Sequence, residues 1–204
     1  MKQYSLLLVV ILSAIGMSAQ NARSFSLNLY GGYNFSDSLD YDGYSASVED
    51  AFQYGAGFEY FFSTNNSVEI KYLRADSKMP FYGPLGNQLN SGNDKGALNY
   101  ILLDGTHYFD TNSNLLPYLG AGAGVGIIET PQSGNGTYFA WDIKAGVKIK
   151  TASNVSVNLN AYLESMAAAV GNSYYWTYYG PVGVEDYVST FQFGLGAVVS
   201  FNFK

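Results

Sequence analysis

The chain of 204 residues contains no cysteine. Disulfides, thiolate metal centres and lipid attachment through an N-terminal cysteine are therefore excluded. Charge is scarce as well. Asp, Glu, Lys and Arg together make 13% of the residues, and cations are the rarer sign, ten against sixteen carboxylates. Such a chain is poorly equipped to neutralise phosphodiesters, so nucleic acid is not an expected partner. Only one histidine is present, His107. The run from Leu6 to Ile15 is too short for a membrane-spanning helix, which needs roughly 20 apolar residues. After residue 20 no long stretch keeps the helical period.

What is abundant is glycine and aromatic residues: 23 Gly, 19 Tyr and 13 Phe. Their arrangement is clearest in the last stretch, residues 191–203. There Phe191, Phe193, Leu195, Ala197, Val199, Phe201 and Phe203 alternate with Gln192, Gly194, Gly196, Ser200 and Asn202, Val198 being the one exception. Period-2 alternation means a β-strand with one oily and one polar face. It is longer than the usual globular strand of about 5–6 residues and meets the roughly 9–11 residues of a membrane-spanning strand.

The N-terminus fits that reading. Met1-Lys2, the apolar run to Ile15 and the small residues of Gly16-Met17-Ser18-Ala19 have the order of a secretory signal peptide. Residues 1–19 are expected to be removed, leaving 20–204 as one barrel domain. Removal takes away Lys2 alone, so nine cations face sixteen carboxylates and the charge becomes −7.

Seven further stretches repeat the alternation, at about 24–35, 51–62, 67–78, 97–109, 116–128, 138–150 and 155–166. The fourth is apolar on both faces. Placing Ile101, Leu103 and Phe109 outward keeps Asp104 out of lipid. Short connections rich in Asn, Asp, Ser and Thr (63–66, 110–114, 151–154) alternate with long ones (36–50, 79–96, 129–137, 167–187). Short turns on one rim and long loops on the other are the pattern of an all-β, eight-stranded antiparallel up-and-down transmembrane β-barrel of a Gram-negative outer membrane. Ten strands result if Tyr174–Tyr179 forms its own hairpin.

Which face points inward separates a membrane barrel from a soluble one. The bulky apolar residues share one face. The other carries glycine ladders (Gly120, Gly122, Gly124, Gly126; Gly194, Gly196) and the charges Glu59, Glu69, Lys71, Asp142, Lys144, Lys148 and Glu164. Charges facing hydrocarbon would cost roughly 2–4 kcal/mol each for Lys at mid-depth, whereas inside a lumen they can pair. The apolar face is therefore expected to meet lipid, and the seven charges to form a structural network that plugs the lumen. Tyr60, Phe61, Phe62, Tyr108, Phe109, Phe201 and Phe203 are expected to form an aromatic girdle near the short-turn rim.

The segment Leu115-Leu116-Pro117-Tyr118-Leu119-Gly120-Ala121-Gly122-Ala123-Gly124-Val125-Gly126 resembles the PY-x-GAGxG strand of small OmpX/OmpA-like, porin-family outer-membrane barrels. The last strand resembles the aromatic-terminated signal read by the barrel-assembly machinery, although Lys204 follows Phe203. The signal-peptide end Ser18-Ala19-Gln20 and the Tyr/Asn content look like Bacteroidetes-type proteins. The resemblance implies an outer-membrane location, with lipids, lipopolysaccharide and the assembly machinery as partners and a monomeric barrel. It implies no activity, because one fold hosts many functions. No peptidoglycan-binding domain follows residue 204, so no wall anchor of the OmpA type is expected here.

Candidate chemistry is thin. Barrel enzymes that modify lipid A combine a His with a Ser or an acid. Around His107 the chain reads Gly105-Thr106-His107-Tyr108-Phe109-Asp110, without a His-x-Ser arrangement, and an interfacial role is expected. In residues 38–49, Ser38, Asp40, Asp42, Gly43 and Glu49 have part of a calcium-loop spacing, but Ser stands at the first position and Ser45 where an aliphatic residue is usual. The plain alternative is a solvated acidic loop whose carboxylates meet divalent ions bridging lipopolysaccharide. Tyr174, Tyr175, Trp176, Tyr178 and Tyr179 form a cluster fit for a binding surface or for lipid headgroups. No cofactor, metal or catalytic site is expected. The functional expectation is a non-enzymatic structural or surface-interaction barrel. The alternatives are a narrow ion or solute pore and a lipid-modifying enzyme.

Overall fold

A backbone placed in hydrocarbon must satisfy every N–H and C=O internally, and strands do so only when their sheet closes on itself. The computed structural model describes residues 24–41, 44–130, 134–151, 153–167, 175–177, 180–182 and 189–203. The expected signal peptide, 1–19, lies outside them. The strands are β1 (Ser24–Asn34), β2 (Asp37–Tyr41), β3 (Tyr44–Val48), β4 (Ala51–Phe61), β5 (Asn66–Lys78), β6 (Phe81–Tyr82), β7 (Lys95–Tyr108), β8 (Leu115–Thr130), β9 (Gly134–Lys150), β10 (Val155–Ala167), β11 (Tyr175–Thr177), β12 (Gly180–Val182) and β13 (Ser189–Phe203).

Eight of them close a barrel in the order β1-β13-β10-β9-β8-β7-β5-β4, and every neighbouring pair is antiparallel. The register can be followed from Leu29 through Ala56, Tyr72, Ile101, Val125, Phe139 and Ala167 to Ser189. The register that sets Phe25 against Phe203 then leads to position 39, ten residues beyond the start. That stagger tilts the strands, typically by about 35–45°, and leaves an interior that side chains can fill.

Of the expected hairpin 174–179 the described residues are 175–177, β11, and these do not join the barrel. β11 pairs only with β12, as a separate two-stranded sheet, so the barrel count is eight. The first two long connections carry a three-stranded sheet, β2-β3-β6. The expected loop 129–137 is largely strand, because β8 and β9 pair as far as Thr130 and Gly134. The short turns are closed by their own polar side chains. Ser63 Oγ accepts from the backbone N–H groups of Asn65 and Asn66. Asp110 accepts from the N–H of Asn112, which adopts a positive φ of 53° that Asn tolerates.

The outer wall is apolar right round. Leu27, Phe58, Ile70, Leu103, Leu119, Ile143, Leu159 and Leu195, one from each barrel strand, are all exposed. In water this would be a continuous aggregation surface; in a bilayer it is the lipid belt. On β7 Ile101 and Leu103 face out and Asp104 is buried, and Phe109 just past its end is exposed, as expected. Towards the long-loop rim the belt ends in tyrosines whose hydroxyls reach polar groups above it: Tyr33 to Asp50 at 2.5 Å, Tyr54 to Asp76 at 3.0 Å and Tyr72 to Asn99 at 2.7 Å. The Tyr33 hydrogen bond holds the loop carboxyl of Asp50 below its ordinary range.

At the short-turn rim the girdle is smaller than expected. Phe25 contacts Tyr60 outside, and Phe201 and Phe203 are exposed there. Phe61 and Tyr108, however, turn inward and pack with Leu116 and Tyr118. The parity of the strands decides this: each sits between two outward neighbours.

Candidate functional site

Among the described residues the lumen gathers buried polar and charged side chains from seven of the eight barrel strands, β8 contributing glycines and the Tyr118 ring. All seven expected charges point into it, and each is at least nine-tenths buried. Lys71 on β5 binds Asp104 at 2.7 Å and Asp142 at 2.6 Å. Lys144 on β9 binds Asp104 at 2.8 Å and Glu69 at 3.2 Å. Lys148 lies 3.8 Å from Glu59 and above the rings of Phe61 and Tyr108.

Neutral side chains tie these pairs together. Asn28 donates to both Glu59 and Glu69, and Tyr30 donates to Glu69. Ser67 and Tyr108 donate to Glu59. Six of the seven predicted charges are thus one network. Glu164 stands apart and accepts a 2.7 Å bond from Gln53.

Asp104 is the hub of this network; the sequence set it inward but did not count it among the lumen charges. β7 carries apolar residues on both faces, so no polar stripe singled Asp104 out. A signal was present across the strand pair: Gly122 is the register partner of both Asp104 and Asp142. A Cβ on Gly122 would lie 2.0 Å from Asp104 Oδ1 and 2.5 Å from Asp142 Oδ1. At Gly122 the missing side chain is therefore the space the two carboxylates occupy. Gly122→Val is expected to destabilise the folded barrel by about 1–3 kcal/mol through overpacking. Gly105→Ala, where nothing lies within 4 Å, is expected to be near neutral. Urea unfolding in lipid vesicles checks both, and equal costs would mean that the lumen yields freely.

The lumen is not polar throughout, which corrects the sequence expectation. Beside the long-loop rim it is filled by Leu73, Leu98, Tyr100, Leu102, Ile128 and Met166, with Val48 and Met79 contributed from the connections. These residues escaped notice because their alternation lies behind an equally apolar outer face. Between this layer and the charge network is a cavity of about 20 Å³, lined by Gln53, Lys71, Asp142, Asn160, Tyr162 and Glu164, room for about one water molecule.

The other candidates are not part of this arrangement. His107 faces outward at the short-turn boundary, hydrogen-bonded to Asn66 at 2.8 Å and in edge contact with Phe109. In the segment 38–49, residues 38–41 and 44–48 run as a paired hairpin with Asp40 opposite Ser45, which is not a curled chelating loop. Asp42 and Gly43 lie outside the described residues. Among the described residues no cluster of three or more His, Asp or Glu is placed to hold a metal. Of the aromatic cluster, Tyr175 and Trp176 begin β11, and Tyr174, Tyr178 and Tyr179 lie outside the described residues.

Comparison with known proteins agrees with this geometry. A family model described as an outer membrane protein beta-barrel domain matches residues 6–201. Among solved structures, Neisserial surface protein A is similar with a TM-score of 0.62 at 17% identity, covering 88% of this chain and 97% of that one. The outer membrane protein OprG from Pseudomonas aeruginosa is similar with a TM-score of 0.58 at 14% identity, covering 91% and 98%. At such identities these two likenesses speak for the fold. No curated protein matches in sequence. A closed eight-stranded barrel, a lipid-facing apolar wall and a family match over nearly the whole length agree, and the chain belongs to the outer-membrane β-barrel domain family of the Gram-negative outer membrane.

Proposed function

We propose that this protein is a non-enzymatic, non-conducting barrel that serves envelope integrity, with the strands and loops above its long-loop rim available as an interaction surface. The observation that carries this reading is the filled lumen. A floor of Phe61, Tyr108, Leu116 and Tyr118, a salt-bridged middle and an apolar upper layer follow one another along the axis. An eight-stranded barrel has little interior to spare, and open diffusion channels belong to barrels of about 16 strands or more. The outward position of His107, with Asn66 and Phe109 as neighbours, supports a boundary role over catalysis. In this reading the chain arrives as a precursor, loses residues 1–19, is inserted by the assembly machinery and works as a monomer.

Planar bilayer recording tests the proposal. The purified chain is expected to give no discrete current steps. Reproducible single-channel steps that change size in the Lys71→Met variant would overturn it in favour of the narrow pore.

A further inference from the structure

The distribution of cations on the outer wall is uneven in a way the barrel itself does not require. Of the seven Lys and Arg among the described residues, Lys71, Lys144 and Lys148 are in the lumen and Lys150 is at the short-turn rim. The remaining three, Arg74, Lys78 and Lys95, sit together on the outer face of the adjacent strands β5 and β7, beside the long-loop rim.

Lys78 and Lys95 are register partners, directly opposite each other, and both are exposed. Like charges in that relation repel and destabilise a strand pair. Neither has an ion-pair partner among the described residues. Arg74 lies four residues below Lys78 on the same face, held to Asp76 at 2.8 Å and Glu129 at 3.2 Å. Asp76 and Glu129 are thus engaged by Arg74, and neither Glu49, whose N–H donates to the Lys78 carbonyl at 2.8 Å, nor Asp94, the chain neighbour of Lys95, forms an ion pair with the two lysines.

The height of the pair is defined by the strand. β5 runs from Asn66, at the His107 boundary, to Lys78. Twelve residue steps at roughly 3.3 Å, tilted by about 40°, rise about 30 Å. The apolar band of such barrels is about 25 Å tall. The lysine pair therefore stands just above the belt, beyond the hydroxyls of Tyr54 and Tyr72 and facing away from the barrel.

We infer that Lys78 and Lys95 form a clamp for the phosphate group of an outer-leaflet lipid, whose acyl chains lie along the apolar wall below. A phosphate between two ammonium groups relieves their repulsion and gains charge-assisted hydrogen bonds. The clamp depends on the outer-membrane placement of the chain and not on the sealed lumen, so conductance does not enter its test.

Native mass spectrometry of the full folded chain, released from detergent, provides that test, with diphosphoryl lipid A and its dephosphorylated form as probes. The diphosphoryl form is expected to be retained roughly tenfold more strongly. In the Lys78→Gln, Lys95→Gln double variant the two forms are expected to bind alike, while Lys150→Gln keeps the preference. Heat-modifiable migration on gels checks that each variant is folded. Equal retention of both lipids by the unaltered chain overturns the inference without recourse to any variant. So does a preference that survives the double substitution in a folded variant. Displacement of lipid A by millimolar inorganic phosphate or by a soluble sulfated polysaccharide would reassign the site to a free anion or a polyanionic partner, and would equally overturn it.

Discussion

Lys71→Ala is expected to lower the stability of the barrel by about 3–5 kcal/mol, the cost of leaving buried charge without its partner. Lys71 is the only cation within ion-pair distance of Asp142 among the described residues, and it shares Asp104 with Lys144. Five carboxylates (Glu59, Glu69, Asp104, Asp142, Glu164) and three ammonium groups are buried together. Taking away one ammonium deepens an existing excess of negative charge where there is room for about one water molecule. Urea unfolding in lipid vesicles, followed by tryptophan fluorescence, measures the loss. Replacing the whole triad, as Lys71→Met with Asp104→Asn and Asp142→Asn, is expected to recover most of it, because those three side chains then carry no charge to desolvate while Lys144 keeps Glu69 as its partner. A loss below about 1 kcal/mol for Lys71→Ala would mean a wet, solvated lumen, since that is the worth of an exposed pair.

Ile101→Arg is expected to cost about 2–4 kcal/mol in vesicles, the depth-dependent penalty for Arg near the bilayer midplane. Ile101 faces outward on β7, midway between His107 at one boundary and Lys95 at the other, with Tyr72 and Val125 beside it. Arg in place of His107, at the boundary itself, is expected to cost only about 0–1 kcal/mol. The gradient separates lipid from water: on a wall facing water, both changes would stay within about 0.5 kcal/mol. Equal small effects at the two positions would place the apolar wall outside hydrocarbon and undo the membrane reading.

Several features were legible in the sequence because strand alternation is a local property. Phe191 to Phe203 alternate strictly, so the last strand and its outward face could be read residue by residue. The short turns announced themselves through Ser63 and Asp110, whose side chains accept from the backbone N–H groups of Asn66 and Asn112. Glu59, Glu69, Lys71, Asp142, Lys144, Lys148 and Glu164 could be assigned to the lumen, since parity alone sends them there once the apolar face is taken as the lipid face.

Parity was less informative where both faces are apolar. On β7 it left Leu98, Tyr100 and Leu102 unrecognised as an upper plug, and at the short-turn rim it was overlooked for Phe61 and Tyr108, which became floor instead of girdle.

The sequence by itself determined the eight alternating barrel stretches, their up-and-down order and the face of most of their charged and bulky side chains, because these follow from period 2 and from the cost of charge in hydrocarbon. Only the tertiary structure decided which inward charges meet. Lys71, Asp104 and Asp142 come from β5, β7 and β9, and they share a height only because the closed barrel staggers its strands. The same stagger sets Lys78 opposite Lys95 across sixteen residues of intervening chain. Register is a property of the closed sheet as a whole, and no local pattern in the chain encodes it.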